Sequence, residues 1–372
     1  MIDRYTSSHS GDTVRFLNTC IRKPLMLKTL SVKNLTVFRE LNLTCSPGLN
    51  VIVGENGMGK THLLKVAYAL IATSAEAAKK ANLAEPTKTY LQKAYADKLT
   101  GVFRPESVGR LARRKQGRGR CEISLAFDDS ALDTRISFAT SAKTDVQIEK
   151  LSEKWDEQSP LYLPTRELLT IFPGFVSVYE GHYLEFEETW RDTCLHLGSP
   201  TLKGPREKWA AQILEPIEQA LGGKVVLDNN GRFYLNVPGS GSMEMPLVAE
   251  GLRKLAMLAR LIATGSVLDK GYLFWDEPEA NLNPRLIRLV ASVIHALSSQ
   301  GVQVFIATHS FFLLKELDLL SRQKPFPLQY WGLKKEESAD GVSVEQADVL
   351  NGLSKLVMLD EELAQYDREL DI

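Results

Sequence analysis

The feature that most constrains this chain is a glycine-rich turn between an apolar run and a helical pattern. Leu49–Val53 is a short apolar segment typical of a buried strand, and Thr61–Ala72 has the apolar spacing of a helix. Between them, residues 54–61 read Gly-Glu-Asn-Gly-Met-Gly-Lys-Thr, which satisfies the pattern G-x-x-x-x-G-K-[ST]. Because a strand precedes the turn and a helix follows it, the sequence predicts a phosphate-binding loop in an α/β fold.

The positions of this loop have distinct expected roles. The Lys60 ammonium reaches the terminal phosphates of a nucleotide, and the Thr61 hydroxyl binds Mg²⁺. The ring of His62 contacts the nucleotide, packs against the protein or faces solvent. The candidates for nucleotide contact in this segment are Gly54, Glu55, Asn56, Gly57, Met58, Gly59, Lys60, Thr61 and His62.

A second apolar strand, Tyr272–Trp275, is followed by two carboxylates, Asp276 and Glu277. Open α/β sheets bind ligands at the carboxyl ends of their strands. We therefore expect Asp276 to hold Mg²⁺ and Glu277 to polarise the attacking water. The alternative is an acidic turn that caps a helix, since Pro278 and Pro284 can both begin helices.

A third apolar run, Val302–Ala307, ends in Thr308-His309-Ser310. At the same edge of a parallel sheet, His309 is expected to hydrogen-bond the γ-phosphate and to hold the water or Glu277. A histidine at a strand end often has a structural role instead. The order of the three motifs along the chain favours the catalytic interpretation.

These motifs resemble those of the ATP-binding-cassette (ABC) type ATPases, in the branch of the RecF and SMC-like DNA-repair ATPases and the OLD-like and Septu (PtuA-like) anti-phage ATPases. The resemblance covers residues 27–75 and 245–315, and includes Asp-Glu-Pro-Glu-Ala-Asn-Leu-Asn-Pro at 276–284. It implies an α/β fold of the P-loop NTPase (ABC ATPase-like) class, with a mostly parallel sheet and helices, an antiparallel β portion and a helical insertion. It also implies ATP and Mg²⁺ as cofactors, and the chain is most similar to the Septu group.

The segment Ala-Glu-Gly-Leu-Arg-Lys that begins at Ala249 occupies the place of the family signature. The resemblance implies that Glu250, Gly251 and Arg253, at the start of a helix, meet ATP bound by another subunit. Two subunits would then sandwich two ATPs. Ala249 replaces the usual serine and removes a hydroxyl donor, for which backbone N–H groups, Arg253 and Lys254 can compensate.

Another part of the family pattern cannot be assigned from the sequence. No glutamine is identifiable for the metal-contacting loop, and Gln92 and Gln116 are candidates by position alone. The segment Pro-Leu-Tyr-Leu-Pro-Thr-Arg-Glu at 160–167 is similar to one that is frequent in the anti-phage branch. It is equally compatible with a proline-bounded strand that enters a helix.

Composition sets the broad class. The chain has 45 Lys+Arg and 46 Asp+Glu, so its net charge does not indicate a nucleic-acid or membrane partner. No run of apolar residues approaches the roughly 18 that a membrane helix needs. Four separated cysteines give no zinc or disulfide pattern, and we expect a cytoplasmic protein.

The predicted divisions are a poorly ordered lead-in (1–24), an N-terminal ATPase lobe with the phosphate loop and a basic loop (25–145), a mostly helical insertion (146–222), a C-terminal ATPase lobe (223–320) and an acidic C-terminal tail (321–372).

A basic segment interrupts this neutral composition. Seven basic residues and one acid lie between Arg104 and Arg120. Such a loop can neutralise several phosphates and give salt-sensitive, sequence-independent binding of nucleic acid. A solvated loop without a ligand is the alternative, and both interpretations stay open. The candidates for nucleic-acid contact are Arg110, Arg113, Arg114, Lys115, Arg118 and Arg120.

Three classes of function remain. The first is an ATPase that self-associates around ATP and regulates a separate effector or nuclease chain in anti-phage defence. Only 63 residues follow His309, too few for the nuclease domain of OLD-type proteins, so the nuclease is expected on another chain. The second class is a RecF-like DNA-repair ATPase. The third is a nucleotide-binding scaffold with negligible turnover, which Ala249 keeps open.

Overall fold

The computed structural model describes residues 25–80, 84–113, 119–182, 184–268, 271–335 and 341–354, and six residues between 361 and 369. The predicted lead-in lies outside the described residues. Within them, no helix is both long enough and apolar enough to cross a membrane. The strands are β1 (Leu27–Leu35), β2 (Phe38–Thr44), β3 (Leu49–Val53), β4 (Arg120–Phe127), β5 (Thr134–Ala139), β6 (Gln147–Lys150), β7 (Leu161–Leu163), β8 (Lys224–Leu227), β9 (Phe233–Val237), β10 (Gly241–Glu244), β11 (Tyr272–Asp276), β12 (Gln303–Thr308), β13 (Leu328–Lys335) and β14 (Val342–Ala347). The α-helices are α1 (Lys60–Ala78), α2 (Lys88–Phe103), α3 (Phe172–Gly181), α4 (Glu188–Leu197), α5 (Pro205–Leu221), α6 (Glu250–Ala263), α7 (Pro284–Ser299) and α8 (Phe311–Gln323).

A six-stranded sheet in the order β14-β13-β3-β12-β11-β7 forms the centre of the fold. Its strands are parallel except for β14. Every residue of β3, β11 and β12 is buried, which explains why these strands are continuous apolar runs rather than alternating ones. The mostly parallel α/β sheet predicted from the motifs is confirmed.

Two hydrophobic clusters cover the two faces of this sheet. On one face, Phe274 and Phe305 pack with α1, α2 and a second, antiparallel sheet of order β2-β1-β4-β5-β6. On the other face, Leu273 and Trp275 pack with α4 to α8. Because neighbouring residues of a strand point to opposite faces, one short strand anchors both layers. The predicted antiparallel portion is confirmed, and β4 pairs with β5 within it.

The predicted helical insertion, 146–222, is only partly helical. It includes β6, at the edge of the antiparallel sheet, and β7, which pairs with β11 in the central sheet. Its first helix begins at Phe172. β8 and β9 form an antiparallel hairpin, and β10 adds a third strand to it.

The prediction of an acidic tail from 321 is wrong for its first part. α8 continues to Gln323, and β13 then pairs in parallel with β3 in the middle of the central sheet. Tyr330 and Trp331 are fully buried there. The acidic residues of 321–372 all follow Lys335. The average charge of the whole segment therefore gave no sign of the apolar strand that precedes them.

Candidate functional site

The three predicted motifs meet at one edge of the central sheet. β3 runs directly into the phosphate loop, β11 ends at Asp276, and β12 ends at Thr308. β12 lies between β3 and β11, and the three strands are parallel, so their carboxyl ends lie side by side. This convergence was predicted from the order of the motifs.

The phosphate loop has the backbone shape that its glycines predict. Gly57 and Gly59 have φ angles of 82° and 86°, in the left-handed region that favours glycine. A Cβ atom on Gly59 would lie 2.5 Å from the Phe38 ring, so a side chain is excluded there on two grounds. Within the described residues, the N-terminus of α1 has no side-chain cap, which leaves its first N–H groups for a ligand.

Lys60 lies inside this loop. Its Nζ donates to the carbonyl oxygens of Gly54 at 2.7 Å and Glu55 at 2.9 Å. Burial lowers the pKa of the Lys60 ammonium, and the carboxylates of Glu277 and Asp276 act in the opposite direction. A cation held among carbonyl oxygens at a helix N-terminus is suited to attract phosphate oxygens.

Thr61 and Asp276 come together although they lie on different elements. The Thr61 hydroxyl is 2.9 Å and 3.1 Å from the two carboxylate oxygens of Asp276. Burial raises the pKa of Asp276 to about 6, and the bond from Thr61 opposes that shift. A buried carboxylate beside a hydroxyl is the kind of oxygen pair that Mg²⁺ binds, so these residues fit the predicted metal site.

Glu277 and His309 also lie in contact. His309 Nδ1 is 3.3 Å from Glu277 Oε1 and 3.7 Å from Glu279 Oε1. Glu277 has a φ of 46°, and its N–H donates to the Ala307 carbonyl at 2.9 Å. The backbone of the predicted base is therefore held to β12, the strand that immediately precedes His309.

Glu279 is a site residue to which the sequence assigned no role. Its buried Oε1 accepts from the Thr308 hydroxyl at 2.6 Å and from the His309 N–H at 3.2 Å. It thereby joins the turn after β11 to the end of β12. Its position two residues after Glu277 was visible in the sequence, but the contact with β12 was not.

The predicted signature lies at the start of α6, next to the turn after β11. Glu250 Oε1 accepts from Asn281 Nδ2 at 3.0 Å. A Cβ atom on Gly251 would lie 2.3 Å from the Asn281 carbonyl oxygen, so glycine is required by this close approach. The first turn of α6 and the turn after β11 are thus packed together within the chain.

Arg253 is engaged inside the chain, which differs from its predicted role at a partner's nucleotide. Its Nε donates to Glu167 Oε1 at 2.8 Å and its guanidinium also donates to the Val248 carbonyl at 2.7 Å. The Glu167 side chain is only 5% exposed, and a buried carboxylate requires a cation. The next residue, Lys254, is buried and donates to the backbone carbonyl of Glu277.

Two further predictions concern residues near the loop. His62 Nδ1 lies 3.0 Å from the Thr36 hydroxyl, and its ring packs 5.7 Å from the Phe103 ring. These contacts correspond to the packing alternative. Gln116 lies outside the described residues and Gln92 lies in α2. The segment beside Asp276 at the edge of the sheet is instead 164–167, because β7 ends next to β11.

The basic segment does not form one surface in the described residues. Arg110 pairs with Glu106 at 2.6 Å, Arg113 is only 6% exposed, and Arg120 begins β4 and donates to the Ser137 hydroxyl at 2.9 Å. Arg110 and Arg113 also line a cavity of about 550 Å³ that includes 56–58 of the phosphate loop. Of the predicted contacts, Arg114, Lys115 and Arg118 lie outside the described residues.

Similarity to known proteins agrees with this geometry. The family model described as "AAA domain, putative AbiEii toxin, Type IV TA system" matches residues 49–315. The DNA replication and repair protein RecF of Staphylococcus haemolyticus (strain JCSC1435) is 44% identical over 46 residues, and that of Staphylococcus aureus (strain JH9) is 41% identical over 46 residues. Each match covers 12% of this chain and only 12% of the RecF protein.

A solved structure has the same fold. The SMC head (SmcHead) bound to the C-winged helix domain of ScpA aligns with 88% of this chain and 99% of its own, at 13% identity and a TM-score of 0.52. The fold is therefore that of an SMC head, an ABC ATPase-like arrangement of mixed sheets and helices.

Proposed function

Because the chain belongs to this AAA-domain family, we propose that it is an ATPase that binds ATP with Mg²⁺ at the edge formed by β3, β11 and β12. The observation that carries the proposal is the contact of the Thr61 hydroxyl with the Asp276 carboxylate at 2.9 Å. It joins the two predicted metal ligands, which lie 215 residues apart in the sequence. The adjacent pair of Glu277 and His309 supports hydrolysis at the same place.

Each residue of the edge has a defined task in this proposal. The N–H groups at the start of α1 and the Lys60 ammonium hold the phosphates. Thr61 and Asp276 would hold Mg²⁺, which would neutralise negative charge on the phosphate groups. Glu277 accepts a proton from the attacking water, and His309, 3.3 Å from its carboxylate, orients that carboxylate.

The arrangement of α6 supports an ATP-sandwich dimer. Within the described residues, the start of α6 has no side-chain cap, so its first N–H groups remain available for an anion. Glu250 is exposed, and Gly251 is half-buried against Asn281. Since Arg253 is tied to Glu167, we assign the contact with a second subunit's ATP to these backbone N–H groups rather than to the guanidinium.

The cellular role that we propose is regulation of a separate effector or nuclease in anti-phage defence. The toxin–antitoxin description of the family supports a defence class. A RecF-like role in DNA repair is the second candidate, and the 46-residue similarity to RecF favours it. Neighbouring genes separate the two, because a nuclease gene beside this one favours defence and replication genes favour repair.

A turnover measurement tests the ATPase proposal. With MgATP, the parent chain should release phosphate slowly, and Glu277→Gln should bind ATP but lose about 10²–10⁴-fold in rate, because an amide cannot accept the proton of water. Glu40→Gln removes an exposed carboxylate from β2 and should keep the parent rate. Equal rates for Glu277→Gln and the parent would remove Glu277 from the reaction. A parent that binds ATP without turnover would instead favour the scaffold class.

A further inference from the structure

Lys254 connects the signature helix α6 to the proposed catalytic base. Its side chain is 3% exposed, and its ammonium donates to the backbone carbonyl of Glu277. The backbone N–H of Glu277 donates to the carbonyl oxygen of Ala307 on β12 at 2.9 Å. The backbone of Glu277 is therefore held on both sides, by β12 and by α6.

Glu277 needs such support because of its backbone conformation. Its φ of 46° lies in the left-handed region, where a residue with a long side chain is strained. Strained backbone persists at functional sites only when the surrounding structure fixes it. Here the carbonyl oxygen accepts a hydrogen bond from a buried cation, which is stronger than one from a neutral donor.

The surroundings of the ammonium explain why a lysine occupies this place. Burial lowers the pKa of the Lys254 ammonium to about 8, and the negative charges of Glu279, Glu277, Asp276 and Glu250 act in the opposite direction. Two of them, Asp276 and Glu279, are buried, and a nearby cation offsets the repulsion between buried carboxylates. Removing the ammonium therefore removes both a donor to the backbone and a charge that the acidic turn requires.

A second set of contacts makes α6 and the turn after β11 one unit. Glu250 accepts from Asn281, and Gly251 packs against the carbonyl of Asn281. Lys254 is one helical turn further along α6 and reaches the beginning of the same turn at Glu277. The turn is thus fixed to α6 at both of its ends.

We propose that Lys254 is a positioning residue for ATP hydrolysis, which holds the Glu277 backbone so that its carboxylate meets the attacking water. The proposal rests on the proposed ATPase function. Lys254 binds neither phosphate nor metal in this account, so its loss affects the rate of the chemical step and not the affinity for ATP.

The test compares two buried cations of the same helix. Lys254→Met keeps the unbranched stem and removes the ammonium. Arg260→Met is the matched control, because Arg260 is 5% exposed and bonds the carbonyls of Leu197 and Ser199, away from the site. For each variant, ATP affinity is measured by equilibrium dialysis, and single-turnover hydrolysis is measured per bound ATP.

The expected result is a split between binding and rate. Lys254→Met should bind ATP within about threefold of the parent and hydrolyse it on the order of 10²-fold more slowly, the size of effect that a misplaced catalytic group produces. Arg260→Met should hydrolyse bound ATP at the parent rate. Lys254→Arg retains a charged donor and should recover part of the loss.

Each other outcome overturns the inference in a recognisable way. Parent-like turnover per bound ATP in Lys254→Met, with Glu277→Gln inactive, rejects the role of Lys254 and leaves the ATPase function standing. Equal losses in Lys254→Met and Arg260→Met show a structural role only. If Lys254→Met does not fold, Lys254→Arg provides the test. A Lys254→Arg variant that binds ATP but hydrolyses it no faster than Glu277→Gln rejects the proposal that a charged donor at this position holds Glu277. Absence of turnover in the parent rejects both proposals.

Discussion

The edge formed by β3, β11 and β12 and the basic segment are both recognisable in the sequence, but their residues are arranged differently in the fold. At the edge, residues from three strands converge, and Thr61 meets Asp276 at 2.9 Å. In the basic segment, residues that are close in sequence diverge. Arg110 turns to Glu106, Arg113 is buried, and Arg120 joins β4.

The difference follows from what specifies each cluster. The phosphate loop depends on backbone geometry, with glycines at positive φ between a strand and a helix, and that geometry is local. Strand ends then meet because parallel strands share one edge. A run of like charges specifies no backbone conformation, so each side chain takes the nearest carboxylate, hydroxyl or apolar contact.

The largest effect should come from the loop. Lys60→Ala should abolish detectable binding of ATP, because the ammonium is the cation that the loop itself supplies to the terminal phosphates. Isothermal titration with ATP in the presence of Mg²⁺ measures it. Lys79→Ala, at the exposed end of the same helix, is the control and should bind as the parent does. Retained affinity in Lys60→Ala would place the phosphates elsewhere.

The sequence predicts the edge of the central sheet but not the contacts that depend on packing. Asp276 and His309 were placed at the same edge because an apolar run and its carboxyl end are both readable from the sequence. A strand within 160–167 was one of two open alternatives, but its pairing with β11 was not predictable, because β7 has three residues and that pairing is set by contacts far along the chain. The bonds of Lys254 and Arg253 depend on where α6 packs, which no local pattern encodes.

Asp156 is a buried carboxylate outside both regions, and it tests whether burial by itself can raise a carboxylate pKa as it does at Asp276. Burial raises the pKa of Asp156 to about 6, as it does for Asp276. Because the folded state of Asp156 binds a proton that the unfolded chain releases near pH 4, its contribution to stability is full below that pH and is lost as the pH rises towards 6. Asp156→Asn should remove this loss, which is on the order of 3 kcal/mol over the full pH range.

Urea unfolding at pH 4.5 and pH 7.5 measures that difference. The free energy of unfolding of the parent should fall more between these values than that of Asp156→Asn. The side chain of Asp156 accepts from the backbone of Gln158 at 2.9 Å, a bond that asparagine retains, so the fold should be kept. Parallel pH dependence in the two proteins would show that Asp156 does not titrate in this range.

A smaller effect is expected from the basic segment, whose binding of nucleic acid stays a prediction. Each neutralised phosphate contributes about −0.9 to the slope of log K against log salt on duplex DNA. Changing Arg114 and Lys115 to Ala should flatten that slope by up to about two units. Adding Arg113→Ala should flatten it little further, because Arg113 is buried. A third full unit from Arg113 would contradict its placement, and an unchanged slope in all variants would favour the solvated loop.

The central claim is that this edge holds ATP between two chains, and sedimentation of Glu277→Gln tests it most directly. The chain has a mass of 41.5 kDa. With MgATP, the variant should sediment at twice that mass and carry one ATP per chain, because binding is retained and hydrolysis is blocked. Without ATP, it should sediment at a lower mean mass. A species of 41.5 kDa in both conditions, with no nucleotide bound, would contradict the account.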